Sequence, residues 1–166
     1  MKTKTLILCI FAAVISAVSC GTAMTAEELA AKEALVEAAV NNHDFTFEVD
    51  TVYPMKGPSR ISSDGYTLSV YDGVANTHLP FFGEVFMAEY GSADGGITLE
   101  DVPVQVNVTK VKNKYVLEFS GTRKFEKFQF ILTVFPNGTA DLSCTSNLRS
   151  TMRYSGFLKE KTENKD

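Results

Sequence analysis

The chain has 166 residues, 45% hydrophobic, 11% aromatic and 22% charged, a balance that excludes a disordered or low-complexity protein. One domain with its own core fits that length. Lys and Arg number 16 against 20 Asp and Glu, and this acidity speaks against nucleic acid and anionic membrane as partners of the body.

Residues 1–19 read as a bacterial signal peptide. Lys2 and Lys4 give a positive start, and Leu6 to Val18 is almost wholly apolar. That run falls short of the roughly 20 residues that span a bilayer, so it suits the hydrophobic stretch of a leader better than an anchor. Ala17-Val18-Ser19-Cys20-Gly21 resembles a lipobox, with Ala17 where Leu is more usual. The resemblance implies that Cys20 becomes the first mature residue and carries acyl chains such as palmitate, with residues 20–24 as a tether. At about 0.8 kcal/mol per buried CH₂, several chains make attachment effectively permanent. A plain secretory signal that happens to contain a cysteine is the alternative. Losing Lys2 and Lys4 leaves 14 basic against 20 acidic residues. The expected location is the cell envelope, facing the periplasm, because Gly21-Thr22-Ala23-Met24 lacks the acidic run associated with surface export in Bacteroidetes.

Cys9 lies in the leader and Cys20 would be acylated, so Cys144 is left without an intramolecular partner. It shares a strand face with Ala140 and Leu142, which reads as a buried, inert thiol.

A single domain is expected over residues 25–160, followed by a polar tail, 161–166. Thr25 and Glu28 form a capping box for a helix over Ala26–Val40. Leu29, Val36 and Val40 fall on one side of it, Lys32 interrupts the stripe, and Asn41-Asn42 is the expected stop. From His43 onward the period becomes two. Phe45, Phe47, Val49 and Tyr53 alternate with polar residues, and Leu68 and Val70 precede an Asp72-Gly73 turn. Val102, Val104, Val106 and Val108 form one alternating run. Tyr115 to Phe119, Phe128 to Val134, Ala140 to Ser146 and Met152 to Leu158 repeat the pattern, with turns at 112–114 and Asn137-Gly138. Seven to nine antiparallel strands are expected: a mainly β meander curled into a barrel or a strongly curved sheet, its interior filled by aromatics, with one N-terminal helix.

Catalytic patterns are missing from the sequence. His43 and His78 belong to no HExxH, no GxSxG or phosphate-binding loop occurs, and Glu100 and Asp101 fall on opposite strand faces. No enzyme activity, metal or cofactor is expected. His43 reads as a surface or capping residue, and Asp94-Gly95-Gly96 as a turn needing positive φ. Leu79-Pro80-Phe81-Phe82-Gly83, beside His78, breaks the alternation. It is either a plug for the open end of the sheet or a lip of His78, Phe81 and Phe82 for an apolar ligand or partner. Adjacent residues of an extended segment point opposite ways, and Phe82 is expected inside with Phe81 exposed.

Tyr66-Thr67-Leu68-Ser69-Val70, Leu79 to Gly83, Asp94-Gly95-Gly96-Ile97, Phe135-Pro136-Asn137-Gly138-Thr139-Ala140 and Tyr154-Ser155-Gly156 together resemble the DUF4251 family of Bacteroidetes envelope proteins. The likeness covers roughly residues 30–160. It implies a lipocalin-like β-barrel and supplies no activity or site residues. The function expected is a non-enzymatic envelope lipoprotein that binds a small apolar ligand or a peptide. The alternative is a structural lipoprotein that docks another envelope protein.

Overall fold

The computed structural model describes residues 24–62, 64–86 and 95–159. The leader, Cys20 with most of its tether, and the polar tail lie outside them. Helix α1 (Ala26–Asn42) opens with the expected capping box: Thr25 Oγ1 accepts from the Glu28 N–H at 3.2 Å, and the Thr25 N–H donates to Glu28 Oε2 at 2.8 Å. The helix outruns its expected stop. His43, not an asparagine, takes the left-handed position (φ 57°), and its N–H closes onto the Val40 carbonyl. Val36 and Val40 are buried, whereas Leu29, expected beside them, is 40% exposed.

Among the described residues, ten strands follow: β1 (Phe45–Tyr53), β2 (Arg60–Ile61), β3 (Thr67–Tyr71), β4 (Val74–Leu79), β5 (Ile97–Pro103), β6 (Asn107–Val111), β7 (Lys114–Arg123), β8 (Glu126–Val134), β9 (Thr139–Ser146) and β10 (Met152–Lys159). The sheet is antiparallel, in the order β5-β4-β3-β1-β10-β9-β8-β7-β6, with β2 on β1. It curls as a half-barrel whose two edges, β5 and β6, are consecutive in the chain.

The expected single run from Val102 to Val108 is therefore divided. Its first part pairs with β4 and its last with β7. Pro103, with no N–H to donate, ends β5, and the Val104 N–H goes instead to the Gly73 carbonyl at 2.8 Å. Across this seam the sheet ends meet side chain to side chain. A Cβ on Gly121 of β7 would stand 2.9 Å from Leu99 Cδ1 and 3.4 Å from Val102 Cγ1. Arg123 Nη1 also donates to the Thr98 carbonyl at 3.1 Å.

A second departure lies in β1. Val49 pairs with Gly156 and Thr51 with Ser155, so Asp50 is an extra residue, a β-bulge. The bulge shifts the side-chain phase by one. Val52 turns in, and Tyr53, expected inside, is 39% exposed. Another irregularity separates Ala75 from Thr77 in the β4–β5 pairing. There Asp101 adopts φ 49°, so Glu100 and Asp101, expected on opposite faces, are both exposed.

Elsewhere the alternation holds. Phe45, Phe47, Leu117, Phe119, Phe128, Phe130, Leu132 and Leu142 face one continuous core. The Phe119 ring stacks on Phe130 at 5.2 Å and meets Phe45 edge-on at 6.4 Å. Helix α1 covers one end, where the β3–β4, β6–β7 and β8–β9 turns gather. The Lys32 stem lies there against Gly138.

Candidate functional site

The end opposite α1 holds the residues that the sequence singled out. Pro80 to Phe86 folds across it and is bonded to the β9–β10 connection. Glu84 N–H donates to Ser150 Oγ at 3.0 Å, Ser150 N–H to the Glu84 carbonyl at 2.9 Å, and Phe86 N–H to the Leu148 carbonyl at 2.8 Å. From the core side, the Tyr154 hydroxyl donates to the buried Pro80 carbonyl at 2.9 Å. These bonds fix the phase of the bend.

That phase is the reverse of the one expected. Phe81 is half-buried against the core, and Phe82 is 40% exposed with the Arg60 guanidinium 4.3 Å above its ring. Gly83 is demanded by space, since a Cβ there would overlap Ser150 Oγ and the Phe81 ring. Gly95 and Gly96 adopt no left-handed φ. Gly96 is needed instead for its approach to the Leu79 carbonyl, which a Cβ would meet at 2.9 Å. His78 sits on the exposed face of β4 and packs its ring on Tyr66 at 5.3 Å, while Phe81 joins the core. Phe81 thus lies on the core side of the bend, Phe82 on its outer side, and His78 on the exposed face of β4.

Arg149 is the hub beneath this surface. It meets Glu126 at two points, Nε to Oε1 at 2.8 Å and Nη2 to Oε2 at 3.0 Å, with the side chains 12% and 11% exposed. Nη1 donates to the Gly96 carbonyl at 2.8 Å, and the guanidinium lies 5.4 Å from the Phe81 ring. Ser146 Oγ donates to Glu126 Oε1 at 2.6 Å. All of these partners are satisfied, so the cluster clamps the closing segments together. Cys144 is buried nearby. Loss of solvent, with the Glu126 carboxylate adding to it, pushes its thiol up to about 12. Such a thiol holds almost no thiolate near neutrality and is a poor nucleophile.

Above the clamp lies a surface that the sequence reading missed: Met55, Ile61, Val85, Phe86 and Phe125 are 70%, 86%, 49%, 66% and 87% exposed. Met55 lies on the β1–β2 connection, Ile61 on β2, Val85 and Phe86 between β4 and β5, and Phe125 on the β7–β8 turn. The one local signal was an apolar residue beside a cation, as in Met55-Lys56, Arg60-Ile61 and Lys124-Phe125.

Among the described residues, concavities lie outside the core. One of about 650 Å³ opens on the outer face of β6–β9, lined by polar side chains such as Gln105, Asn107, Ser120 and Gln129. Another, of about 330 Å³, runs between α1 and the end of β10, past Leu35, Val36, Ala39 and Leu158. Among the described residues, no three His, Cys, Asp or Glu gather as metal ligands, and no helix is long and apolar enough to cross a membrane.

Comparison with known proteins agrees with this architecture. A crystal structure of a DUF4251 family protein from Bacteroides eggerthii superposes with a TM-score of 0.61 at 22% identity, covering 79% of this chain and 89% of that one. At that identity the likeness shows the fold. No curated protein matches the chain. The family model described as "Domain of unknown function (DUF4251)" matches residues 27–158, so the chain belongs to the DUF4251 family.

Proposed function

We propose that this chain is a lipid-anchored, non-enzymatic protein of the cell envelope, facing the periplasm, that works by contact through its outer surface. The observation that supports this is the contrast between inside and outside. Core side chains such as Phe47, Leu68, Phe130 and Leu132 are 0% exposed, whereas Ile61 and Phe125 stand almost bare. A barrel that cages a ligand needs an apolar cavity of roughly 300 Å³ or more, and the inner face here carries Phe119, Phe128 and Phe130 stacked ring on ring. Large exposed apolar side chains on a folded domain mark a contact surface. Docking is thus better supported than capture of a small molecule inside the sheet. A small apolar ligand or peptide has a second possible seat in the groove along α1, whose size and apolar lining suit one.

Native mass spectrometry of the protein extracted from its own envelope tests the choice. The expected result is the acylated chain with no retained small molecule. A bound apolar compound whose removal lowers the melting temperature would overturn the contact reading. Anchorage has its own test in Cys20→Ser, expected to abolish acyl labelling and release the chain from the membrane fraction. A variant still lipid-labelled and membrane-bound rejects Cys20 as the anchor.

A further inference from the structure

We infer that the outer wall of β1, β10 and β9 binds a short oligosaccharide, with sugar rings stacked on Tyr53 and Phe157 and sugar hydroxyls shared between Arg153 and Asp141. This rests on the contact reading above and names what one outer face touches. Tyr53 and Phe157 are 39% and 49% exposed there. Unbroken alternation would put Tyr53 in the core. The Asp50 bulge reverses its phase, and bulges recur beside functional sites as a means of re-aiming one side chain. Gly156 lets β1 approach closely at the bulge, because a Cβ there would overlap the Glu48 carbonyl oxygen. The Tyr53 hydroxyl then meets Ser155 Oγ at 3.3 Å, which ties the ring to β10.

Strand register sets polar groups beside these rings. Tyr53 pairs with Arg153, Arg153 with Ser143 and Ser143 with Ile131, so the four share one row across the sheet. The next row runs Thr51, Ser155, Asp141 and Thr133. Tyr53, Arg153, Ser143, Asp141 and Thr133 together line a hollow of about 340 Å³. Phe157 lies four residues beyond Arg153 on β10, about 13 Å along the strand. The two rings are thus far enough apart to carry separate sugar units, with Ser155 and Asp141 between them.

The charges select the ligand class. Arg153 and Asp141 are both exposed, stand on adjacent rows of one hollow, and form no ion pair with each other. An anion drawn to Arg153 would be repelled by Asp141, and a cation meets the reverse problem. A neutral hydroxyl suits both, because it can donate to the carboxylate and accept from the guanidinium. Neighbouring hydroxyls of one sugar can therefore bridge the two groups, and Ser143 and Thr133 add hydroxyl partners. A sugar ring also presents a face of C–H groups, which suits the flat face of an aromatic side chain. A protein partner is less well matched. Its aromatic anchors belong at a packed centre sealed from water, whereas these rings flank charged and hydroxyl side chains.

The test uses the full mature chain, purified in mild detergent from its own envelope. Cello-, malto-, xylo- and chito-oligosaccharides are titrated into it by calorimetry, and saturation-transfer NMR reads which sugar protons touch the protein. At least one series is expected to bind, with the strongest transfer to ring C–H protons. Arg153→Ala, Asp141→Asn and Tyr53→Ala should each weaken that binding at least about tenfold, equivalent to about 1.4 kcal/mol. Tyr53→Phe keeps the ring and should keep the binding. Phe157→Ala should weaken the longer oligomers and spare the disaccharide. Gln129→Ala, on the outer face of β8 away from this hollow, is the control and should change nothing. Circular dichroism verifies the fold of each variant. Absence of binding by all four series overturns the inference, as does binding that survives Arg153→Ala and Asp141→Asn. Binding of trialanine with free termini, in place of the sugars, overturns it in favour of a zwitterionic peptide. A retained apolar compound in the mass spectrum sinks the contact reading instead, so the two failures are distinguishable.

Discussion

The Tyr154 hydroxyl, on a side chain only 1% exposed, reaches out of the core to the Pro80 carbonyl at 2.9 Å. This single bond joins β10 to the bend that closes the sheet. Pro80 leaves no N–H at its own position, so its carbonyl is the group available to hold the segment. Tyr154→Phe keeps the ring and strands that buried acceptor. The expected loss is about 1–3 kcal/mol, read by urea denaturation. An unchanged midpoint would mean that water replaces the hydroxyl and that the bend is held by its bonds to Ser150 and Leu148 alone.

Arg149 and Glu126 lend themselves to a double-mutant cycle. Both are nearly buried, and their two-point pairing offsets a large desolvation cost. Arg149→Met leaves the carboxylate uncompensated and should cost about 3–5 kcal/mol. Adding Glu126→Gln removes the stranded charge and should recover much of that loss. Additive single effects in the same denaturation series would show that the ion pair is not the clamp described above.

Strand faces were legible in the sequence wherever the period of two ran unbroken. Phe128, Phe130, Leu132 and Val134, like Ala140, Leu142 and Cys144, face inward as the alternation requires. Tyr53 and Asp101 were misplaced for one physical reason: a bulge inserts a residue, reverses the phase, and leaves no mark in a hydrophobicity pattern. Its trace is in the partner strand. Gly156 faces the β1 bulge, where a Cβ would overlap the Glu48 carbonyl oxygen, but from sequence this glycine reads only as part of a turn-like motif. The divided Val102–Val108 run was misread because seam residues alternate as ordinary strand residues do. The exposed pole was illegible for a different reason. It is assembled from residues 55–61, 82–86 and 125, which only the folded sheet brings together.

Alkaline pH offers a test of the core. The Cys144 thiol is pushed up to about 12 by burial, while in an unfolded chain it ionises near 8.5. A raised folded value means that the neutral thiol stabilises the fold. That contribution is complete below the unfolded value and is lost as pH rises through the window up to about 12. The slope should reach about 1.4 kcal/mol per pH unit from this group. Burial of Tyr154 pushes its phenol up as well, so it adds in the same direction above pH 10 or so. Cys144→Ala should flatten the dependence between pH 9 and 10, measured by denaturant titration at each pH. An equal slope in the variant would show that the thiol is not protected.

Phe81 and Phe82 are neighbours with opposite duties, which makes them a sharp pair of variants. Phe81 lies against the core beneath Arg149, whereas Phe82 is exposed under Arg60. Phe81→Ala should cost about 2–3 kcal/mol, less than the roughly 3–5 of a fully buried ring because part of Phe81 is already wet. For a domain of this size that lowers the melting temperature by about 6–10 °C. Phe82→Ala removes little buried area and one surface cation–π contact, so about 0.5–1 kcal/mol is expected. Thermal melts of the two variants decide the stability part. Equal, large losses of stability from both would assign the whole bend to packing.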